Sequence, residues 1–233
     1  MIYRDDLAYI HHDGFTEFIE SASMDLLEIL WRAGIRDGLV IDVGCGSGVL
    51  ARELTRAGFE TLGIDASPAM LALARNVAPR ARFVEGTFGE AELPPARAIV
   101  AAGEVLNYGT LDQARAFFAR AANALVSGGL LIFDVAERGS YAAHDTHQVD
   151  GADWSVIVAR DSDGETLTRR IISFREVDGT PRRSDEVHTL SLYARADILR
   201  ELRAAGFAAR VRRGYGATRL PRGHAVFVCT RRG

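Results

Sequence analysis

At 233 residues, with 48% apolar and 25% charged side chains, the chain has material for one buried core, or for one domain with a substantial insertion. Its 28 basic residues against 31 acidic ones leave a net charge of −3, which excludes the basic footprint of a typical nucleic-acid binder. The two cysteines, Cys45 and Cys229, fit neither a metal-ligand spacing nor a secreted disulfide framework, so no metal is expected.

The opening MIYRDDLAYIHHDGF is charged early and lacks the apolar stretch of a signal peptide. No apolar run approaches the ~18 residues of a membrane span, so a cytoplasmic protein without membrane partners is expected. Phe18, Ile19, Ala22, Leu26, Leu27 and Leu30 share one helical face, which predicts a helix over 16–32 stopped by Gly34. A β-branched run predicts a buried strand over 39–43. Residues 47–57 read as a helix closed by Gly58, and 61–65 as a second strand. Ser67-Pro68 pairs an N-cap with a first-turn proline, opening a helix that runs to about 77. Strands follow over 81–85 and 98–102. An Ala-rich helix over 111–126 stops at Gly128-Gly129, and 130–135 is a fifth strand.

The alternation predicts an α/β fold with a mostly parallel, doubly wound sheet. In such sheets ligands bind at the carboxyl ends of the strands. The glycine loop 44–48, Asp65, the 85–88 segment, the 103–108 segment and Asp134 all fall there. After about 150 the pattern changes. Residues 153–160, 165–177 and 182–193 read as strands, with hairpin turns at Asp163-Gly164 and Asp178-Gly179. A helix over 196–205 and strands over 208–213 and 225–230 complete the chain. The organisation expected is an N-terminal helical cap (1–38), an α/β core (39–150), an antiparallel β insertion (151–193) and a C-terminal helix and strands that complete the core sheet (194–233).

The stretch VIDVGCGSG, residues 40–48, is a strand that breaks into glycines, as where a nucleotide approaches backbone closely. Its spacing is G-x-G-x-G, with Val49 just after Gly48, so it departs from the dinucleotide pattern G-x-G-x-x-G and lacks a P-loop ending. Asp42 precedes the first glycine by two residues. A carboxylate there repels a pyrophosphate and welcomes an amine. Asp65, at the end of the second strand, is placed to accept from both ribose hydroxyls. A ribose and an amine without phosphates describe S-adenosylmethionine.

VIDVGCGSG followed by LGIDASPAMLALAR resembles the first two motifs of the class I S-adenosylmethionine-dependent methyltransferases. The resemblance continues through LNYG and GGLLIFDV. It covers residues 39–135 well and the remainder more loosely. It implies a seven-stranded methyltransferase-type sheet with the last strand antiparallel, and S-adenosyl-L-methionine as cofactor. It puts Gly44 and Gly46 beside the methionine part, in a loop completed by Cys45 and Gly48. Asp42 falls near the amino group and Asp65 at the ribose, with Ala66 and Met70 packing against adenine or ribose. Many relatives end the third strand in Gly-Asp. Here the pair is Gly86-Thr87, which leaves Thr87 and Phe88 as adenine contacts, without the charge. Gly103 joins the set from the fourth strand.

Methyl transfer from a sulfonium is an in-line displacement that depends mainly on alignment. The function expected is transfer to nitrogen or oxygen of a small-molecule acceptor, by a monomer or homodimer. The alternatives are a non-catalytic S-adenosylmethionine-binding regulator or partner subunit, and an NAD-type oxidoreductase. Glu104 and His188 are the candidate bases, should the acceptor need one. Asn107, Tyr108 and Asp134 are candidate substrate contacts. Cys45 reads as a small loop residue rather than a nucleophile. His11 and His12, with Tyr3 or Tyr9, either cap the cofactor or are solvated. Arg169, Arg170, Arg175, Arg182 and Arg183 either meet an anionic substrate or line a solvated sheet face.

Overall fold

A computed structural model of the chain describes residues 3–232. Helices α1 (Asp5–Gly14) and α2 (Glu17–Arg32) precede strand β1 (Leu39–Val43). Then come α3 (Val49–Arg56), β2 (Glu60–Asp65), α4 (Pro68–Val77), β3 (Arg82–Glu85) and β4 (Ala96–Ala101). A 3-10 turn (Val105–Tyr108) leads into α5 (Leu111–Ala124) and β5 (Leu125–Ala136). Strands β6 (His144–Asp150), β7 (Trp154–Ser162), β8 (Thr166–Val177) and β9 (Thr180–Ser191) follow, then α6 (Arg195–Ala204), β10 (Phe207–Arg212) and β11 (His224–Arg231).

Seven strands form one sheet in the order β10-β11-β5-β4-β1-β2-β3. The pairs from β5 through β3 are parallel, whereas β11 runs antiparallel to both β5 and β10. This is the expected sheet with its last strand reversed. Burial on both faces explains why the central strands are unbroken apolar runs. Ile41, Ile99, Leu131 and Phe133 face α5 and α6, while Val40, Ala98, Val100 and Ile132 face α2 and α3. Phe118, Phe133 and Phe227 stack in sequence on the first of these faces. The order reverses between β1 and β4, so the clefts above those strands converge on one crevice.

Strands β6 to β9 form a separate antiparallel sheet. Asp178 and Gly179 both take positive φ in the two-residue loop between β8 and β9, the turn that this dipeptide favours. The sheet begins one strand earlier than the expected boundary at 150. Strand β6, HDTHQVD, is an edge strand of mostly polar, exposed residues, and such edges carry no apolar alternation to read. Helix α1 likewise has no counterpart among the elements expected from the sequence. It is ten residues long, and only Leu7, Ala8 and Ile10 of it are buried. Leu7 and Ile10 pack against Trp154, Val156 and Ile171, so α1 covers one face of the second sheet. Among the described residues no helix is long and apolar enough to cross a membrane.

Candidate active site

A cavity of about 440 Å³ opens above the carboxyl ends of β1, β2 and β4. That is within the range of small-molecule and cofactor sites. Its floor is the glycine loop. Gly44 has φ +70, and a Cβ there would strike Val105, so the loop depends on bare backbone at this point. Gly46, at φ +52, has nothing within 4 Å of where a Cβ would stand, and its backbone faces open space. The amides of Gly44 and Cys45 donate to Ile64 O at 2.7 and 3.0 Å, which ties the loop to β2.

Asp42 and Asp65 line the cavity together. Asp65 Oδ2 accepts from the Gly46 amide at 2.9 Å, and Oδ1 from the Ser67 amide at 2.8 Å. Each oxygen keeps a lone pair for a hydroxyl donor. Asp42 is buried, and its Oδ2 has no hydrogen-bond partner. Burial first, and then the charge of Asp65, push its carboxyl up to about 7. An unpaired buried carboxylate is costly, and a cation delivered into the cavity would relieve it.

Cys45, Ala66, Met70, Thr87, Phe88 and Gly103 also line this cavity. Burial, with the charges of Asp42 and Asp65, raises the Cys45 thiol well above its ordinary range, so it is no nucleophile at neutral pH. Gly48 does not line the cavity. It caps α3 at φ +82, and a Cβ there would press on the Ala74 backbone at 3.0 Å, so this glycine serves the contact of α3 with α4.

The N-terminal segment closes the site. Ser67 caps α4 by accepting from the Met70 amide, while its hydroxyl donates to Tyr3 O. His12 Nδ1 lies 2.9 Å from Ser47 Oγ in the glycine loop. Tyr3 and His11 line the cavity, and burial lowers the His11 imidazole to about 4, leaving it neutral. Tyr9 instead lies under Arg175, 3.4 Å from the guanidinium to the ring centre.

A second cavity of about 190 Å³ lies between α1 and the β6–β9 sheet. Tyr3, His11 and Phe15 line both cavities. Leu7, Val156 and Ile171 give the second one an apolar side, while His147, Arg160 and His188 give it a polar one.

The candidate bases fall in different places. Glu104 does not line the cofactor-sized cavity. It accepts from Arg169 Nη2 at 2.5 Å and from Tyr141 Oη at 2.7 Å, and lies 2.7 Å from His224 Nε2. Burial would raise its carboxyl, but the His224 hydrogen bond and the Arg169 charge outweigh this and hold it down at about 2. A base for neutral pH needs the opposite tuning. Glu104 ties the second sheet to the core through its pair with Arg169 of β8. Its φ of +60 is held by Asp134, which accepts from the Gly103 and Glu104 amides and from Tyr215 Oη.

Asp134 and Asn107 are likewise braces, away from the cavity lining. Asn107 Nδ2 donates to Ala136 O and Ser191 O, and its Oδ1 accepts from the Ala136 amide, so it pins the loop after β4 to β5 and β9. Tyr108 does line the cavity, and its hydroxyl lies 3.2 Å from His188 Nδ1. Of the insertion arginines, Arg169 is committed to Glu104, while Arg175 and Arg182 pair with Asp6 of α1. Arg170 and Arg183 pair with Asp161 and Asp185 in exposed positions. Tyr141, Glu186 and His224 carry no local motif, and sequence reasoning does not find them.

The sheet order, the reversed last strand and the crevice over β1 define the class I methyltransferase fold. Solved structures share it over nearly the whole chain. A S-adenosylmethionine-dependent methyltransferase from Clostridium acetobutylicum superposes with a TM-score of 0.83 at 19% identity, covering 98% of each chain. An amino pentose methyltransferase from Micromonospora echinaspora does so with a TM-score of 0.79 at 21% identity, covering 99% of this chain and 98% of that one. Residues 40–129 match the family model described as a methyltransferase domain. Over 104 residues the chain is 36% identical to a ubiquinone biosynthesis O-methyltransferase of Rhodopseudomonas palustris, covering 43% of this chain and 39% of that protein. Over 94 residues it is 34% identical to a demethylmenaquinone methyltransferase of Tropheryma whipplei, covering 40% of this chain and 39% of that protein. The match thus spans about two fifths of these relatives.

Proposed function

We propose that this protein is an S-adenosylmethionine-dependent methyltransferase acting on nitrogen or oxygen of a small-molecule acceptor. The observation that carries the proposal is Asp42, a buried carboxylate with an unpartnered oxygen in the cavity above β1. The residues fit the cofactor. Asp42 is matched to its α-amino group, Gly44 and Gly46 to its methionine part, and Asp65 to its ribose hydroxyls. Ala66, Met70, Thr87 and Phe88 line the space for the base, with Gly103 across the crevice. Bound there, S-adenosylmethionine supplies a methyl group already activated on a sulfonium sulfur. The chain's own work is then to align the acceptor and exclude water.

The second cavity supports turnover over a binding-only role, because it provides room beyond Tyr3, His11 and Phe15 for an acceptor with one apolar and one polar side. On this proposal the β6–β9 sheet roofs the acceptor. The proteins it resembles include an amino pentose methyltransferase and a ubiquinone biosynthesis O-methyltransferase, which supports nitrogen or oxygen as the acceptor atom. We place its action in the cytoplasm, as a monomer or homodimer, away from nucleic acid. The balance of charge, slightly acidic overall, supports the last point.

Calorimetric titration with S-adenosylmethionine, S-adenosylhomocysteine and NAD tests the proposal. The expected result is micromolar binding of the first two and none of the third. Binding of NAD alone would overturn it.

A further inference from the structure

Glu186, His188 and Tyr108 form a hydrogen-bonded line that the cofactor site does not explain. Glu186 and His188 are buried in β9, and Glu186 Oε2 lies 3.0 Å from His188 Nε2. Glu186 Oε1 accepts from the Arg4 amide at 3.0 Å, which fixes the carboxylate. Burial alone would raise Glu186, but the His188 hydrogen bond and the Arg4 amide outweigh it, so the group stays ionised. An ionised carboxylate only accepts. It therefore calls for an N–H at Nε2 of His188, and in the neutral imidazole that leaves Nδ1 as the acceptor. The Tyr108 hydroxyl stands 3.2 Å from that Nδ1 and lines the larger cavity, while His188 lines the smaller one.

We infer that Tyr108, backed by His188 and Glu186, is the proton outlet of the methyl-transfer site. This rests on the methyltransferase proposal above and deepens it. The acceptor class is a hydroxyl or amine that must shed a proton as its new bond to the methyl carbon forms and the carbon–sulfur bond breaks. The acceptor's proton passes to Tyr108 Oη, and the proton of Tyr108 passes to His188 Nδ1. The imidazolium so formed is stabilised by Glu186 and discharges through the second cavity. One proton leaves for each methyl transferred, and the neutral thioether departs with the sulfonium's electron pair.

The Tyr3 ring packs edge-on against His188 at 5.1 Å, and its hydroxyl faces Tyr108. Arg169 sits opposite His188 across β8 and β9, but its charge is taken by Glu104. His11, His147, Arg160 and Arg169 share the cavity wall with His188. Tyr108 itself is held well above its ordinary range by burial, with the neighbouring Tyr3 adding to it. It conducts a proton without resting as a phenolate, and His188 is the group that stores it. By this arrangement Tyr108 touches the reactants, while His188 and Glu186 act through it.

Nitrogen-15 NMR of histidine-labelled protein tests the relay. The probes are S-adenosylhomocysteine and sinefungin, an analogue with an amine in place of the sulfonium methyl. The wild-type protein should show His188 as the Nε2–H tautomer. Sinefungin should shift its Nδ1 resonance relative to the homocysteine product, and Tyr108→Phe should abolish that difference while both ligands still bind. Glu186→Gln should mix the tautomers. A His188 found as Nδ1–H, or one that does not respond to sinefungin although both ligands bind, would overturn the relay alone. Failure of both ligands to bind would overturn the methyltransferase proposal and the relay with it. The tautomer in the wild-type protein decides the matter even where a variant fails to fold.

Discussion

The seven-stranded sheet and the four-stranded sheet bury themselves by different means. The first is covered on both faces, so β4 and β5 are almost wholly buried and apolar along their inner lengths. The second is covered by α1 on one face, so β9 alternates exposed and buried positions, with Glu186, His188 and Leu190 turned inward. On the first sheet the cavity is lined by bare backbone and two carboxylates at strand ends, within about one βαβ unit. On the second it is lined by side chains spread over four strands. A crevice built from backbone tolerates little variation in sequence, whereas a wall built from side chains can change its occupant by substitution.

Measurements on both sheets put that contrast at risk, and the largest effect belongs to the junction between them. Arg169→Ala breaks the buried pair with Glu104, whose other partners are Tyr141 and His224, and should cost about 3–5 kcal/mol in urea denaturation. A loss below ~1 kcal/mol would mean that the sheets are not docked by this pair. Asp42 comes next. Its raised carboxyl contributes stability that is present below the ordinary carboxyl range and lost as pH rises to about 7. Asp42→Asn should therefore stabilise the ligand-free protein above neutrality by about 2–4 kcal/mol and at the same time abolish cofactor binding. An unchanged Tm would show that the carboxyl is solvated after all.

Asp65→Ala should weaken S-adenosylhomocysteine roughly 10- to 100-fold by calorimetry, the worth of hydrogen bonds to a charged acceptor. In the wild-type protein the same affinity should fall toward tenfold per unit as pH drops below about 7, because Asp42 is then protonated. A flat profile would separate Asp42 from the ligand's amine. The smallest effect is expected at Arg183→Ala, where an exposed pair with Asp185 is lost and stability should move by less than ~0.5 kcal/mol.

The core is legible in the sequence because its burial is periodic and its turns are chemical. The run 39–43 and the Ser67-Pro68 start fall where the strand and helix form, and the Asp178-Gly179 turn is where its dipeptide puts it. The cavity lining is legible through Asp42, Gly44, Gly46 and Asp65, since a G-x-G-x-G loop between two acids has few other uses. Gly48 is not separable from its neighbours, because a glycine needed for helix contact looks the same as one needed for a ligand. Strand β6 and helix α1 escape notice for lack of apolar period. Glu104 is the converse case. An acid after a strand suggests catalysis until its partners are known, and Arg169, Tyr141 and His224 lie 65, 37 and 120 residues from it.

The pair of Glu104 and Arg169 has a consequence for protein engineering. Cores of this fold invite grafting, with one roof exchanged for another to change what is modified. Here the roof carries a guanidinium whose socket is a carboxylate in the core, set in a left-handed backbone turn. A foreign roof without that cation would leave the carboxylate to His224 of the core, and this roof on a foreign core would bury a cation with no counter-ion. A successful chimera must move both halves of the plug or neutralise both.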